Sequence, residues 1–207
     1  MHEAMKALVQ RQLAQSIATM QAVVADESIC ETLAQVGKLT ADAMQSGRKL
    51  MVAGNGGSAA DAQHLVAEFV SRLTVDRPAL RALALTVDTS ILSAIGNDFS
   101  FDHVFERQVE ALGQRGDVFL GISTSGNSRN VLRALGLARE MGITTFGLSG
   151  NGGGQMHALC DYSIVIPSKV TMNIQESHLA LEHIFCMLVE RFTFGPDFDS
   201  KPQILSE

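Results

Sequence analysis

The chain has 207 residues, of which 46% are hydrophobic and 18% charged, and its formal net charge is −6. This balance is typical of one globular domain with a sizeable core. An acidic chain without a Lys/Arg cluster is a poor partner for nucleic acid phosphates. No run of about 18 apolar residues occurs, and the N-terminus is unlike a signal peptide. We therefore expect a cytoplasmic protein with no nucleic acid partner and no membrane partner.

The first 46 residues predict a helical hairpin. Their apolar side chains recur at helical spacing, and the pattern is interrupted near Asp26, which can cap a second helix. Beyond this extension we expect an α/β core over residues 49–192 and a polar tail over residues 193–207. All three parts are predicted to form a single domain, because no linker or internal repeat separates them.

Five short apolar runs follow, most of them ending near Gly or Ser, with long intervening segments that can form crossover helices. They are Leu50–Ala53, Ala82–Val87, Val118–Ile122, Thr145–Leu148 and Tyr162–Ile166. Nearly continuous apolar strands that alternate with helices indicate a parallel sheet covered on both faces. The predicted fold class is therefore α/β, a doubly wound, five-stranded parallel sheet flanked by helices. The last helix is predicted from about Ile174 to Phe192.

A glycine loop, residues 54–59 (GNGGSA), lies between the first strand and the next helix. Glycines at such a turn let backbone N–H groups approach a ligand, and the start of the helix favours an anion. The spacing also fits a loose dinucleotide-binding pattern. That pattern expects an acid about 20 residues further on, where Asp76 comes too early and Asp88 too late. A tight turn without a ligand is the remaining alternative.

A serine loop, residues 123–128 (STSGNS), follows the third strand and precedes a helix that starts near Arg129. Ligands of doubly wound folds bind beyond the carboxyl ends of the strands, and hydroxyl groups can donate to a phosphate without adding positive charge. The alternative is a Ser/Thr-rich turn in which one serine caps the helix. A cap needs only one hydroxyl, whereas this loop has four.

His64 and Glu68 are four residues apart in the helical segment 58–73, so both project from one face of the helix. An imidazole beside a carboxylate can bind a divalent metal, or can transfer a proton next to a carbonyl group. The alternative is a surface His/Glu pair that slightly stabilises the helix. Taken alone, the spacing favours this second interpretation.

Gln175 and His183 lie on the last apolar helix, eight residues apart. That spacing corresponds to about 12 Å along a straight helix, too far for both side chains to reach one small ion from regular positions. Either Gln175 lies at an unwound start of the helix, or a second subunit contributes to the site. His183 could instead be a core histidine or the partner of Glu182.

Taken together, four stretches resemble the SIS sugar-isomerase family, and within it the phosphoheptose isomerases, over nearly the full length. They are Ala53–His64, Ala94–Asp98, Gly121–Ser128 and Ile174–Glu176. The resemblance implies an SIS-type fold and an aldose–ketose isomerase. The implied reaction converts D-sedoheptulose 7-phosphate to D-glycero-D-manno-heptose 7-phosphate through an enediol, for the heptose of bacterial lipopolysaccharide. It also implies a homotetramer with sites between subunits.

The resemblance further implies a set of site residues. Its sugar-phosphate contacts fall on Asn55, Gly56, Gly57, Glu68, Asn97, Asp98, Ser123, Thr124, Ser125, Ser128 and Gln175. Its zinc ligands, for one zinc per subunit, fall on His64, Glu68, Gln175 and His183. Our hypothesis for catalysis is that Glu68 shuttles the carbon-bound proton while His183 serves the oxygens. One departure is Asn173, where many relatives have a basic residue, so substrate affinity or anomer preference could differ.

Three other functions are alternatives to the sugar-phosphate isomerase. A noncatalytic SIS adaptor that binds the bacterial replication initiator keeps the serine loop but lacks the acid and histidine equivalent to Glu68 and His183. A sugar-phosphate-sensing regulator would add a DNA-binding segment, and residues 1–46 lack a basic recognition helix. A nucleotide-dependent dehydrogenase would need the missing acid. The presence of Glu68 and His183 favours the isomerase.

Overall fold

Two long helices begin the chain. In the computed structural model, which describes residues 2–195, α1 spans His2–Ala25 and α2 spans Glu27–Gln45. Asp26 separates them as the N-cap of α2, and its carboxylate accepts hydrogen bonds from the backbone N–H of Ser28 at 3.0 Å and from its hydroxyl at 2.6 Å. The two predicted N-terminal helices are confirmed.

The sheet has five strands, all parallel, in the order β2-β1-β3-β4-β5. They are β1 (Leu50–Gly54), β2 (Ala82–Ala84), β3 (Val118–Ser123), β4 (Thr144–Ser149) and β5 (Tyr162–Val165). The second strand was predicted to extend to Val87 and is shorter. Its ladder with β1 ends at the hydrogen bond from Leu85 N–H to the Val52 carbonyl, 2.9 Å, after which the chain leads into the next helix.

Five further helices surround the sheet. They are α3 (Gly57–Val70), α4 (Thr89–Asp98), α5 (Glu106–Leu112), α6 (Arg129–Glu140) and α7 (Thr171–Phe194), with 3-10 turns at Phe101–His103 and Gly154–Leu159. Alternate residues of β1 face two separate cores: Leu50 and Val52 pack with α2, α3 and α7, whereas Met51 and Ala53 pack with α5 and α6. The predicted parallel sheet with helices on both faces is confirmed.

Helix α7 is longer than predicted at both ends. It begins at Thr171, so Gln175 lies in a regular helical turn, and the interpretation that Gln175 occupies an unwound helix start is wrong. It ends at Phe194, so it includes the first two residues of the predicted tail. Residues 196–207 of that tail lie outside the described residues. Among the helices of residues 2–195, none is long and apolar enough to span a membrane.

His178 connects α7 to the sheet in the core. Its side chain is fully buried, and its Nε2 lies 3.1 Å from the Ser149 carbonyl oxygen at the end of β4. Its Nδ1 has no hydrogen-bond partner among the described residues. Burial lowers the pKa of this imidazole to about 4, so the ring is neutral near pH 7 and donates from Nε2 to the carbonyl.

We predict that this histidine makes the fold sensitive to acid. An unfolded histidine titrates near pH 6.5, so its contribution to stability is fully present above that pH and is lost as the pH falls through about 4. The loss amounts to about 3 kcal/mol between pH 7 and pH 4. His178→Gln keeps a donor for Ser149 and should make the free energy of unfolding less dependent on pH. Urea unfolding of the wild type and the variant between pH 7 and pH 4 measures the free energy of unfolding. An equal change with pH in both proteins would contradict the prediction.

Candidate active site

The glycine loop and the serine loop lie side by side, because they follow β1 and β3, which are neighbouring parallel strands. An amide pair joins the glycine loop to the first turn of α6, directly after the serine loop: Asn55 and Asn130 each donate to the side-chain oxygen of the other, both at 2.8 Å. The predicted substrate contact Asn55 therefore already has a structural partner. Asn130 is buried and was not a candidate in the sequence, since a contact across 75 residues leaves no local pattern.

The hydroxyl groups of the serine loop converge at the start of α6. Ser128 is the N-cap residue of this 12-residue helix, but its side chain makes no capping hydrogen bond. Its hydroxyl lies 2.9 Å from that of Ser123, which is 3.5 Å from the hydroxyl of Ser125. The alternative of a simple capping turn is therefore contradicted. Three converging hydroxyls at a helix N-terminus form an arrangement that suits an anion.

The loop after β4 holds the serine loop in place. Gly126 has a φ of +65°, and a Cβ atom at this residue would overlap the carbonyl oxygen of Gly153, so the position requires glycine. Met156 N–H donates to the Gly126 carbonyl at 3.0 Å, and Gln155 N–H donates to the Asn127 side chain at 3.1 Å. These contacts fix the backbone at Gly126 and the side chain of Asn127, between the serines of the loop.

Helices α3 and α7 bring His64, Glu68 and His183 together within one chain. The Nε2 atoms of His64 and His183 are 2.8 Å apart, and the two rings are almost perpendicular, at 87°. The Oε1 atom of Glu68 lies 3.6 Å from His64 Nε2. One possible ligand atom from each residue lies within 4.8 Å of the others. This geometry does not match an isolated surface His/Glu pair, because the third member comes from another helix.

This group of three side chains fits a divalent metal ion. Two imidazole nitrogens only 2.8 Å apart need either a shared proton or a cation between them. Two nitrogen donors with a carboxylate oxygen are a ligand set that zinc accepts. His64 is exposed, while Glu68 and His183 are partly buried, so an ion could enter from solvent. The group could therefore hold a metal.

Gln175 lies in a separate layer of the same α3–α7 contact. Its Nε2 is 3.3 Å from Asp61 Oδ1, and its amide lies where a Cβ atom of Gly57 would be. Asp61 precedes His64 by about one helical turn, so Gln175 does not join the three-residue group through the contacts of a single chain. The role of Gln175 as a zinc ligand stays a prediction for the assembled protein.

Two buried acids next to this group were not site candidates in the sequence. Glu182 is fully buried, and neither of its carboxylate oxygens has a hydrogen-bond partner among residues 2–195, so the suggested pairing of Glu182 with His183 is wrong. Burial, with a smaller effect from the charge of Asp61, raises the pKa of Glu182 to about 8. Burial also raises the pKa of Asp61, although Gln175 and His64 partly oppose this. The sequence offers no local signal for either environment.

Asn97, Asp98 and Asn173 make their hydrogen bonds with residues outside the two loops. Asn97 donates to Asp98 at 2.8 Å at the exposed end of α4, and within residues 2–195 neither side chain is hydrogen-bonded to a loop of the site. Asn173 is buried, with its Nδ2 3.4 Å from the hydroxyl of Thr19 in α1. Within a single chain, having Asn173 in place of the basic residue of many relatives therefore affects the packing against α1.

Known proteins resemble this chain in sequence and in fold. The family model for the SIS domain matches residues 12–150. The phosphoheptose isomerase of Aneurinibacillus thermoaerophilus is 53% identical over 185 residues, which cover 89% of this chain and 93% of that protein. This chain belongs to the SIS domain family, among the phosphoheptose isomerases. A second member, phosphoheptose isomerase 2 of Campylobacter jejuni, is 47% identical over 199 residues, or 96% of this chain and 99% of that protein.

Solved structures of the phosphoheptose isomerases have the same architecture. GmhA from Neisseria gonorrhoeae is 41% identical and superposes with a TM-score of 0.84, covering 90% of this chain and 98% of that one. The enzyme from Francisella tularensis is 31% identical, with a TM-score of 0.86 over 89% of this chain and 97% of that one. The expected SIS-type α/β fold is confirmed.

We predict that His64, Glu68 and His183 bind one divalent ion per chain. Replacing any of them with Gln should weaken Zn²⁺ binding by at least about tenfold, because even residues that only support a ligand have effects of this size. Titration calorimetry of metal-free protein with zinc chloride measures the affinity. His103→Gln is the control, since His103 also pairs with a glutamate, at 2.7 Å, but in a different element. Unchanged zinc affinity in His64→Gln would contradict the prediction.

Proposed function

We propose that this protein is an aldose–ketose isomerase that converts D-sedoheptulose 7-phosphate to D-glycero-D-manno-heptose 7-phosphate through an enediol, for bacterial lipopolysaccharide heptose synthesis. The observation that carries the proposal is the convergence of Glu68, His64 and His183 within one chain. Relatives named phosphoheptose isomerase, 53% and 47% identical, support it. The proposed setting is a single SIS domain in the cytoplasm, acting on a sugar phosphate without nucleic acid or membrane partners.

The substrate phosphate is held by the serine loop. The hydroxyls of Ser123, Ser125 and Ser128 and the first N–H groups of α6 can all donate to its oxygens, so no lysine or arginine is needed. Thr124 and the glycine loop bind the sugar hydroxyls. Asn97, Asp98 and Gln175 complete the contacts that the family resemblance implies. In the assembly that the resemblance implies, with sites between subunits, anchoring the phosphate places the other end of the sugar, C1 and C2, beside the catalytic groups.

The reaction moves a proton between C1 and C2. Glu68 removes the proton from C1 of the ketose while His183 gives a proton to the C2 carbonyl oxygen, and the product of this step is the enediol. Glu68 then returns its proton to C2, and His183 takes the proton from the C1 hydroxyl, which leaves the aldehyde. Oε1 of Glu68 and Nε2 of His183 both face His64, so Oε2 of Glu68 and Nδ1 of His183 are the atoms available for proton transfer.

Zinc is the proposed metal, one ion per subunit. His64, Glu68 and His183 hold it, with Gln175 as the fourth ligand that the resemblance implies. A bound zinc ion supplies a Lewis acid that stabilises negative charge on the substrate oxygen. The chain's own residues bind, orient and transfer protons as described above.

We predict that Glu68→Gln and His183→Gln each lower kcat by about 10²- to 10⁴-fold, because each removes a group that transfers a proton. His103→Gln is the control and should keep normal turnover. NMR can follow aldoheptose phosphate formation from sedoheptulose 7-phosphate, with and without a chelator. Near-normal rates in both variants would end the proposed roles. No product from folded wild-type protein under either condition would favour the noncatalytic adaptor.

The proposed assembly is a homotetramer, and helix α1 provides its contact surface. Of the 24 residues in α1, only Thr19 and Val23 are buried. Leu13, Ile17 and Val24 are 60%, 59% and 76% exposed and lie along one side of the helix. Contiguous apolar surface of this kind marks a protein interface, and the resemblance identifies its occupant as further copies of the chain.

We predict that Ile17→Glu dissociates the assembly, because it places a charge in the apolar stripe. Gln15→Glu, about half a turn away on the same helix, adds the same charge outside the stripe and should leave the assembly intact. Analytical ultracentrifugation of both variants and the wild type measures the oligomeric state. A monomeric wild type, or a tetrameric Ile17→Glu, would contradict the proposal.

A further inference from the structure

A fully buried ion pair lies immediately beyond the group formed by His64, Glu68 and His183. Arg77 Nε donates to Glu190 Oε1 at 2.6 Å, and both side chains are 0% exposed. Arg77 follows α3 in the chain. Glu190 lies on α7, seven residues after His183 and therefore on the same face of that helix. The pair links the end of α3 to α7.

The same guanidinium group binds the carbonyl end of α3. Nη2 donates to the Glu68 carbonyl at 2.6 Å, and Nη1 donates to the carbonyls of Phe69 at 2.9 Å, Pro78 at 3.1 Å and Ser71 at 3.4 Å. The last carbonyls of a helix have no partner within it and carry the negative end of its dipole. One planar cation therefore satisfies several of them while it also pairs with Glu190.

Stability alone is a weak explanation for this arrangement. Removing two charges from water is costly, and well-packed apolar residues in place of a buried ion pair are often as stable or more stable. What apolar residues cannot do is bind the carbonyl of Glu68 in a fixed direction. The contacts of Arg77 are with the turn of α3 that carries Glu68, and Glu190 lies two turns after His183.

We propose that Arg77 and Glu190 are positioning residues, which hold the Glu68 carboxylate in its place opposite His183. The proposal rests on the proposed function for its effect on catalysis. It also predicts an effect on metal binding, which does not depend on the reaction. Lysine at residue 77 would keep the charge but lose the planar fork, and glutamine at residue 190 would keep an acceptor but lose the charge.

Two variants, Arg77→Lys and Glu190→Gln, test this role. Each should lower kcat by about 10- to 100-fold with little change in KM, because Glu68 is displaced while the phosphate contacts remain. Each should also weaken Co²⁺ binding by about tenfold and change the visible absorption spectrum of the bound cobalt. If Glu190→Gln does not fold, Glu190→Asp, which keeps the charge on a shorter side chain, takes its place.

Asp117→Asn is the matched control for a general loss of stability. Asp117 is also buried and pairs with Lys49 at 2.6 Å, but this pair joins the starts of β1 and β3 and involves neither α3 nor α7. This variant should be destabilised and yet keep wild-type kcat and cobalt binding when folded. Folded Arg77→Lys and Glu190→Gln proteins that resemble it in both measurements would overturn the positioning role.

The two proposals can fail separately. Wild-type protein without isomerase activity, together with altered cobalt binding in the two variants, would overturn the proposed function and support the positioning role. An active wild type with unchanged kcat and unchanged cobalt binding in both variants would overturn only the positioning role. A wild type that neither binds cobalt nor turns over the ketose would overturn both.

Discussion

The candidate site depends on the side-by-side packing of α3 and α7, which run in the same direction. Three layers follow one another along this contact. The residues that α3 and α7 contribute recur about every seven or eight positions, which keeps them on one face, and Arg77 joins the third layer from the chain after α3. The layers contain Gly57, Asp61 and Gln175, then His64, Glu68 and His183, then Arg77 and Glu190. Because all three layers lie along the same contact, a shift of one helix against the other would disrupt them together.

This contact is unusually polar for the interior of a domain. Asp61 and Glu182 each have carboxylate oxygens without a hydrogen-bond partner among the described residues, and such groups destabilise a fold when buried. The apolar clusters on both faces of the sheet offset that cost. Violations of the rules for a stable core are expected where a fold carries a functional site. Their position beside the His64 group agrees with the proposed site.

Much of the fold could be predicted because its signals are local. Apolar runs located all five strands, and the four-residue spacing of His64 and Glu68 placed both on one face. The convergence with His183 came only from family resemblance, since 119 residues separate His64 from His183. Asn130 and Arg77 were missed because their partners are distant in the chain. The helical conformation around Gln175 could not be predicted, because no sequence pattern fixed where α7 begins.

The most direct test is a crystal structure of the Glu68→Gln variant with D-sedoheptulose 7-phosphate bound. The account predicts that the phosphate lies among the hydroxyls of Ser123, Ser125 and Ser128, and that C1 and C2 lie within contact of residues 68 and 183. A sugar phosphate bound in the serine loop with its C1 and C2 remote from both residues, in every subunit of the assembly, would contradict it.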